Sequence, residues 1–495
     1  MDGSGTPAQD AGKGRRRGQS DNGWGMSRRR FLSSSAVLGT AVAGLSACGG
    51  TSVGAGGTTS SGAVQGPVNS KLYPLSKAEA LNRSLHWPRA INEPSDKVAL
   101  TVAHTWTPDF WVRQQQFDKF FMERHPNIVL NAQNTPGTDY QTKYSVQGAA
   151  GSLPDVMYAQ YAFAQNFITA GKFVALDSYM AAQPNFDRSD FTGPALSFYT
   201  SGGHTYGLAY DCEPLIVVYS KDVFDKAHEP YPAADWTLDD MLAKAKRLNS
   251  GTGGNRVYGF GSFAQLNFPY AGPMYLQPFG ARFLDSSQTR CVVDSAAGTT
   301  AMDWWVRDLG PYVPSLAENQ AITTSGVSAF VEGKAAMDIA GTWLTAVLQA
   351  QTNIRFGYAN WPSGPAAHTT AADGSCYAVT TDCKHRDAAW IYLNEYTSTA
   401  GLTFMFSTTG AGSPARASAW PAYLDQVKGV EGADLFLKAL GSYATADGVS
   451  YLPQGPAISD AVTPIWQKVW QGGLSVPAGL RQAQAAVQPL AAKNA

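Results

Sequence analysis

The sequence predicts an α/β protein divided into more than one domain, and three observations carry that expectation. Residues 215–219 (LIVVY) are an unbroken apolar run without polar alternation, the pattern of a strand covered on both faces. Residues 97–158 pass through strand-like, helix-like, strand-like, helix-like and strand-like stretches, which defines a parallel lobe. The chain has 495 residues, more than one hydrophobic core usually supports. Just before the apolar run, Asp211 and Glu213 flank Cys212, and Pro214 withholds a ladder donor. That segment suits a passage between two sheets better than the interior of one.

The elements follow in order. From Met26 the chain reads MSRRRFLSSSAVLGTAVAGLSACGG, a charged start, a short Ser/Gly-rich apolar run and small residues, which is an export signal and too short to span a bilayer. The arginines before Phe31 and Leu32 resemble a twin-arginine signal, and residues 45–48 resemble a lipobox whose Cys48 would carry the lipid. Residues 49–66 are Gly/Ser/Thr-rich, a flexible tether, and residues 71–95 form a Pro-containing lead-in, so 48–95 is read as tether and lead-in. Residues 97–104 (KVALTVAH) are the first strand, 110–123 an amphipathic helix ended before Pro126, 127–132 the second strand and 153–158 (LPDVMY) the third. Ligands of such sheets sit at the carboxyl ends of strands, where Trp106 and the Tyr158 to Tyr161 segment stand.

Beyond the apolar run, Thr237 and Asp240 open a helix with a capping-box pattern, and Gly251 follows it. Residues 256–261 read as a strand and 262–275 as an aromatic, Pro-containing loop lining a pocket. Residues 295–309 read as a helix on which Trp304 and Trp305 cannot both face the core. Residues 327–344 read as helix, Gly333 turn, short strand, and a Gly341-Thr342-Trp343 turn opening another helix. A strand from 356 runs into a Pro/Gly turn, 374–381 is a second passage between the lobes, 388–396 is a helix, 412–416 a turn, and helices close the chain.

Several of these segments, in this order, resemble the family 1, sugar-type extracellular solute-binding proteins of ABC importers, relatives of maltose-binding protein. They are LPDVMYA, ALDSYM, YGLAYDCEPLIVVYSKDVF, WTLDDMLAKAKRL, FVEGKAAMDIAGTW, YANWPSGP, KHRDAAWIYLNEY and GSPARASA. The resemblance implies a hinged two-lobe periplasmic-binding fold of type II, with lobe one over 96–211 plus 379–420 and lobe two over 212–378 plus 421–495. It implies a ligand site built from Trp106, Gln160, Asp211, Glu213, Trp343, Tyr377 and Arg416. Sugar C–H faces stack on Trp, while carboxylates and amides bond vicinal hydroxyls, so these residue types suit a carbohydrate. The implied partners are a small-molecule solute, an ABC permease and the membrane reached through the lipid anchor on the outer face of a bacterial cell, with the protein a monomer. Asp211-Cys212-Glu213 and the long lead-in depart from the family's usual pattern.

Composition excludes several classes. Apolar residues make up 44% and charged ones 15%, a globular balance. Without residues 1–47 the chain keeps 30 Lys and Arg against 35 Asp and Glu, an acidic balance that argues against nucleic acid. The 7 His lack metal-ligand spacing, and neither GxSxG, HExxH nor a phosphate loop occurs, so no metal, cofactor or catalysis is expected. An exported carbohydrate-active hydrolase using Asp211 and Glu213 is the enzyme alternative; a polyamine, phosphate ester or metal chelate is the alternative solute. Four cysteines remain after Cys48, and Cys212 could pair with Cys376 if both lie on adjacent crossing strands.

Overall fold

The computed structural model describes residues 73–494 except 136, 262–271, 324–327, 351–352, 408–411, 447–448 and 450–451. The expected export signal, the lipidated Cys48, the tether, and most of the loop over 262–275 lie outside the described residues. Among the described residues no helix is long and apolar enough to cross a membrane.

Two sheets organise the chain. In the first, β1 (Val98–His104) and β2 (Ile128–Asn134) run parallel in full register from Val98 opposite Ile128 to His104 opposite Asn134. β3 (Val156–Gln160) pairs with the other edge of β1, also parallel. The first connecting helix is the one the apolar spacing predicts, α2 (Pro108–Arg124) after β1, and α3 (Gly137–Ala150) follows β2. Thr107 caps α2 by accepting from the Phe110 N–H at 3.4 Å, with Pro108 in the first turn. Phe117, Phe120 and Phe121 bury one face of α2. After a short hairpin of β4 (Thr200–Ser201) and β5 (His204–Thr205), β6 (Leu208–Pro214) joins the first sheet.

Leu215 alone separates β6 from β7 (Ile216–Ser220), the centre of the second sheet, which is fully buried as its unbroken apolar run requires. β8 (Met337–Ala340) and β9 (Phe356–Ala359) flank β7, both antiparallel. The chain returns on β10 (Thr370–Val379), antiparallel to both β3 and β6, with a bulge between Ser375 and Cys376. β11 (Ala444–Thr445) adds an edge beside β10. The passage between sheets is therefore more regular than Pro214 suggests, because β6 keeps its ladder to β10 through Pro214 itself.

Four expectations are corrected. Residues 256–261 form isolated bridges and no ladder strand; Gly259 lies so close to the helix Leu238–Leu248 that a Cβ there would stand 2.0 Å from the Ala245 carbonyl oxygen. The helix Ala296–Asp303 continues as a π turn over Trp304–Leu309. Its i to i+5 bonds wind fewer degrees per residue, so both indoles reach the core, Trp305 donating to the Tyr275 carbonyl and Trp304 against Phe279. Residues 329–333 are turns and not a helix. Cys212 and Cys376 are buried free thiols; Cys212 faces Gly374 while Cys376 faces Ala209.

The lead-in is a strap fastened to the first lobe. Its helix α1 (Leu75–Ser84) is followed by Trp87, whose ring meets Phe117 and Phe404. The Arg124 guanidinium lies 3.7 Å from the Trp87 ring centroid. His125 bridges Glu93 of the strap and Glu395 of the helix Arg386–Tyr396, at 2.7 Å to each. Burial works to lower the His125 pKa, but the two carboxylates prevail and hold it above the ordinary histidine value. The sign follows: this contribution to stability is full below the ordinary value of about 6.5 and is lost as pH rises through the folded-state value. Urea denaturation of wild type and His125→Gln across pH 5 to 9 should show a stability difference that shrinks as pH rises; a difference independent of pH would refute the bridge.

Candidate functional site

The site is built where the first sheet hands the chain to the second. At the carboxyl end of β1, Trp106 is held by its backbone, its N–H donating to Asn134 Oδ1 at 2.7 Å and its carbonyl accepting from Asn134 Nδ2 at 2.9 Å. Its indole N–H donates to Gln114 Oε1 at 3.1 Å. The half-buried ring packs against Phe110 at 4.6 Å and edge-on to Tyr158 at 5.4 Å, with Tyr210 of β6 also at 5.4 Å. Tyr158 shares a hydrogen bond with Ser375 of β10. Gln160 ends β3 opposite Ser375 and precedes the helix α4 (Tyr161–Thr169) without capping it with its side chain, and is half-buried.

The crossing strands carry the acids. Asp211 accepts from both the backbone N–H and the hydroxyl of Ser375, the latter at 2.8 Å. Glu213 lies two residues on, opposite Asp373, so the three carboxyl groups share one face of the β6–β10 pair. Glu213 Oε2 accepts from the Trp343 N–H at 3.3 Å, and Glu213 also bonds Thr342, so a strand of the first sheet is tied to the β8-to-helix turn of the second. Thr342 Oγ1 donates to Ser413 Oγ at 3.2 Å, and Ser413 Oγ to the Cys212 carbonyl at 2.8 Å. Space is tight: a Cβ on Gly341 would stand 2.4 Å from the Trp343 indole nitrogen and 2.8 Å from Glu213 Oε2.

Burial pushes the Asp211 carboxyl up to about 7, with Asp373 adding to the rise and the Ser375 hydrogen bonds opposing it. Burial, then Asp373 and Asp211, raise Glu213 as well, against the Thr342 and Trp343 bonds. His104, fully buried at the end of β1, falls to about 3 through desolvation and is neutral. Among the described residues no group of three or more His, Cys, Asp or Glu is placed to hold a metal ion.

Five of the seven residues expected at the site are joined by these contacts. Trp106 meets Tyr158; Tyr158, Asp211 and Gln160 converge on Ser375; Glu213 reaches Trp343. The other two are committed elsewhere. Tyr377 is wholly buried behind the wall, its hydroxyl 2.6 Å from His104 Nδ1. Arg416 is buried between Phe186 and Phe191, with Nε donating to the Thr397 carbonyl at 2.6 Å and Nη1 to the Asp187 carbonyl. A guanidinium satisfied by main-chain carbonyls and Asp190 braces the 412–416 turn. Ser375, Asp373, Tyr210 and Ser413 belong to the arrangement without having been expected there. Asp373 and Ser375 flank Gly374, the start that the sequence suggests for the second passage, and β10 begins earlier, at Thr370, so Asp373 lies within it.

The architecture is that of a two-lobe binding protein, two helix-flanked sheets joined by paired crossing strands with polar and aromatic side chains at the join. The sequence profile described as bacterial extracellular solute-binding protein matches residues 107–402. The chain belongs to that family. A binding protein of Brucella abortus (strain 2308) is 26% identical over 293 residues, covering 57% of this chain and 67% of the relative. Among solved structures, the ABC substrate-binding protein Lmo0181 of Listeria monocytogenes, in complex with cycloalternan, superposes with a TM-score of 0.69 at 23% identity, over 80% of this chain and 99% of that one. The cyclic alpha-maltosyl-1,6-maltose binding protein of Arthrobacter globiformis gives 0.68 at 20% identity, over 80% of this chain and 100% of its own. At these identities the likeness establishes the fold.

Proposed function

We propose that this extracellular solute-binding protein captures a mono- or oligosaccharide between its lobes and delivers it to an ABC permease, held to the outer face of the cell membrane by a lipid on Cys48. One observation supports the reading: Trp106 meets Tyr158, Tyr158 and Asp211 both bond Ser375, and Glu213, on the same strand face as Asp211, accepts from the Trp343 N–H, so that rings and acids gather at the join of two sheets. Such a set suits a ligand with apolar faces and hydroxyl edges. The proposed lobes are 96–211 with 379–420 and 212–378 with 421–495, adjusted so that residues 212–214 and 370–378, which pair within the first sheet on β6 and β10, go with the first. A solute touching both would favour the closed arrangement by its differential affinity for it, and the permease would read that state. Asp211 and Glu213 serve here as acceptors, and capture proceeds without turnover.

A second reading, a cationic solute such as a polyamine, is favoured by one feature: among the described residues neither Asp211 nor Glu213 is paired with a Lys or Arg. A thermal-shift panel of sugars, polyamines, phosphate esters and metal salts on residues 67–495 separates the two. A ligand present at 100 times its Kd stabilises the native state by about 2.7 kcal/mol. A rise in melting temperature with carbohydrates and not with amines is expected; a rise with spermidine alone would establish the cationic reading and overturn the sugar.

A further inference from the structure

Behind Trp106, away from the crossing acids, lies a buried polar chain that capture itself does not use. Gln114, on α2, is fully buried and all four of its amide valences are spent. Its Oε1 accepts from the Trp106 indole N–H at 3.1 Å and from the Tyr396 hydroxyl. Its Nε2 donates to Asp118 Oδ1 at 2.9 Å and to the Tyr392 hydroxyl at 3.1 Å. Tyr392 in turn donates to the same Asp118 Oδ1 at 3.1 Å. Asp118 is completely buried, and its other oxygen has no partner among the described residues.

The chain has a direction. Asp118 Oδ1 receives two hydrogen bonds and gives none, so the Gln114 amide must turn its NH2 toward Asp118 and therefore its oxygen toward Trp106. Were position 118 unable to accept, only the Trp106 indole N–H and the Tyr396 hydroxyl would hold the amide in that sense, and one of its own N–H groups would lose its acceptor. Turned over, its NH2 would face the indole N–H, two donors would meet, and the indole would have to rotate off its bond. An acid buried without a cation is costly, and burial indeed lifts the Asp118 carboxyl to about 7, with only Gln114 and Tyr392 opposing. An apolar residue would fill that volume without the cost, so the acceptor itself is what the position supplies.

We infer that Asp118 and Gln114 are positioning residues for solute binding: through the fixed polarity of the Gln114 amide they lock the Trp106 indole in the orientation in which it faces the join between the sheets. This rests on the reading of Trp106 as a solute contact. The locking is testable without a ligand. In a spectrum of protein labelled with 15N at the tryptophan indoles, the Trp106 N–H peak is identified by its absence from Trp106→Phe. Asp118→Asn keeps an acceptor at the Oδ1 position and should leave the peak in place. Asp118→Leu and Gln114→Leu should move it and speed its exchange with water.

Calorimetric titrations with maltotriose and with spermidine extend the test to binding. Trp106→Phe, Gln114→Leu and Asp118→Leu should each weaken whichever probe binds by about tenfold, and Trp106→Phe combined with Gln114→Leu should lose no more than either alone. Asp118→Asn should restore wild-type affinity, which a merely structural role for the carboxylate would not require. If Asp118→Leu fails to fold, Gln114→Leu and Asp118→Asn carry the test. An indole peak unmoved in Gln114→Leu would overturn the inference, whether or not either probe binds. Unchanged affinity in Trp106→Phe, with the peak displaced in Gln114→Leu, would instead overturn the reading of the solute site and leave the locking intact.

Discussion

Replacing Trp106 by Ala should weaken solute binding by about tenfold to a hundredfold, roughly 1.4 to 2.8 kcal/mol, the range of an aromatic platform lost from a binding site. The ring is half-buried against Phe110, Tyr158 and Tyr210 and pinned at both backbone and indole, so at the proposed site it would meet a ligand already oriented. Trp343→Ala acts from the second sheet, where the half-buried residue opens a helix with its N–H on Glu213, and its loss should weaken binding to a similar degree. Neither position is central to a core, so circular dichroism and melting temperature should change little beside the affinity. Calorimetry on the ligand found in the panel checks both, and unchanged affinity in either variant removes that residue from the site.

The largest effect on stability should come from Glu395→Ala. Glu395 is 2% exposed and receives Arg124 Nη2 at 2.6 Å on one oxygen and His125 Nε2 at 2.7 Å on the other. Removing one member of a buried ionic group strands the others, at a cost of about 3 to 5 kcal/mol. Arg124 is partly open to water, which places the expected loss near the lower figure. Glu395→Gln keeps the volume and should cost less. Urea denaturation reads the difference as a lower midpoint at unchanged slope. A loss under 1 kcal/mol in Glu395→Ala would mean the cluster is a by-product of packing.

The crossing is legible in the sequence because a both-sides-buried strand must be continuously apolar, and residues 215–219 meet that demand to within one residue of β7. The placement of Trp106 and Gln160 at the carboxyl ends of β1 and β3 is legible because the strand-like runs end just there. Arg416 and Tyr377 show where this reasoning fails: residue type suggests sugar contact, but only the fold tells whether a guanidinium already has the Thr397 and Asp187 carbonyls. Trp304 and Trp305 escape for another reason, since a period of 3.6 is assumed wherever a helix is read and the π turn breaks it. The Gln114 chain shows in the sequence only as two i, i+4 pairs, Gln114 with Asp118 and Tyr392 with Tyr396, and nothing there brings the pairs together. Its members Trp106, Gln114, Asp118, Tyr392 and Tyr396 come from segments nearly three hundred positions apart.

The strap over α2 has a mechanical consequence. Force pulling on the chain at Tyr73 would pass into Gln116, whose side-chain amide donates to the Tyr73 carbonyl, and through Trp87, Arg124 and Glu395 into the helices covering β1. None of those handholds lies on β7, β8 or β9. On the proposed lipid anchoring and lobe closure, a leash that ends on one half of a jaw would leave the other half free to swing, so tugging along it would move the whole molecule without prising the jaw open.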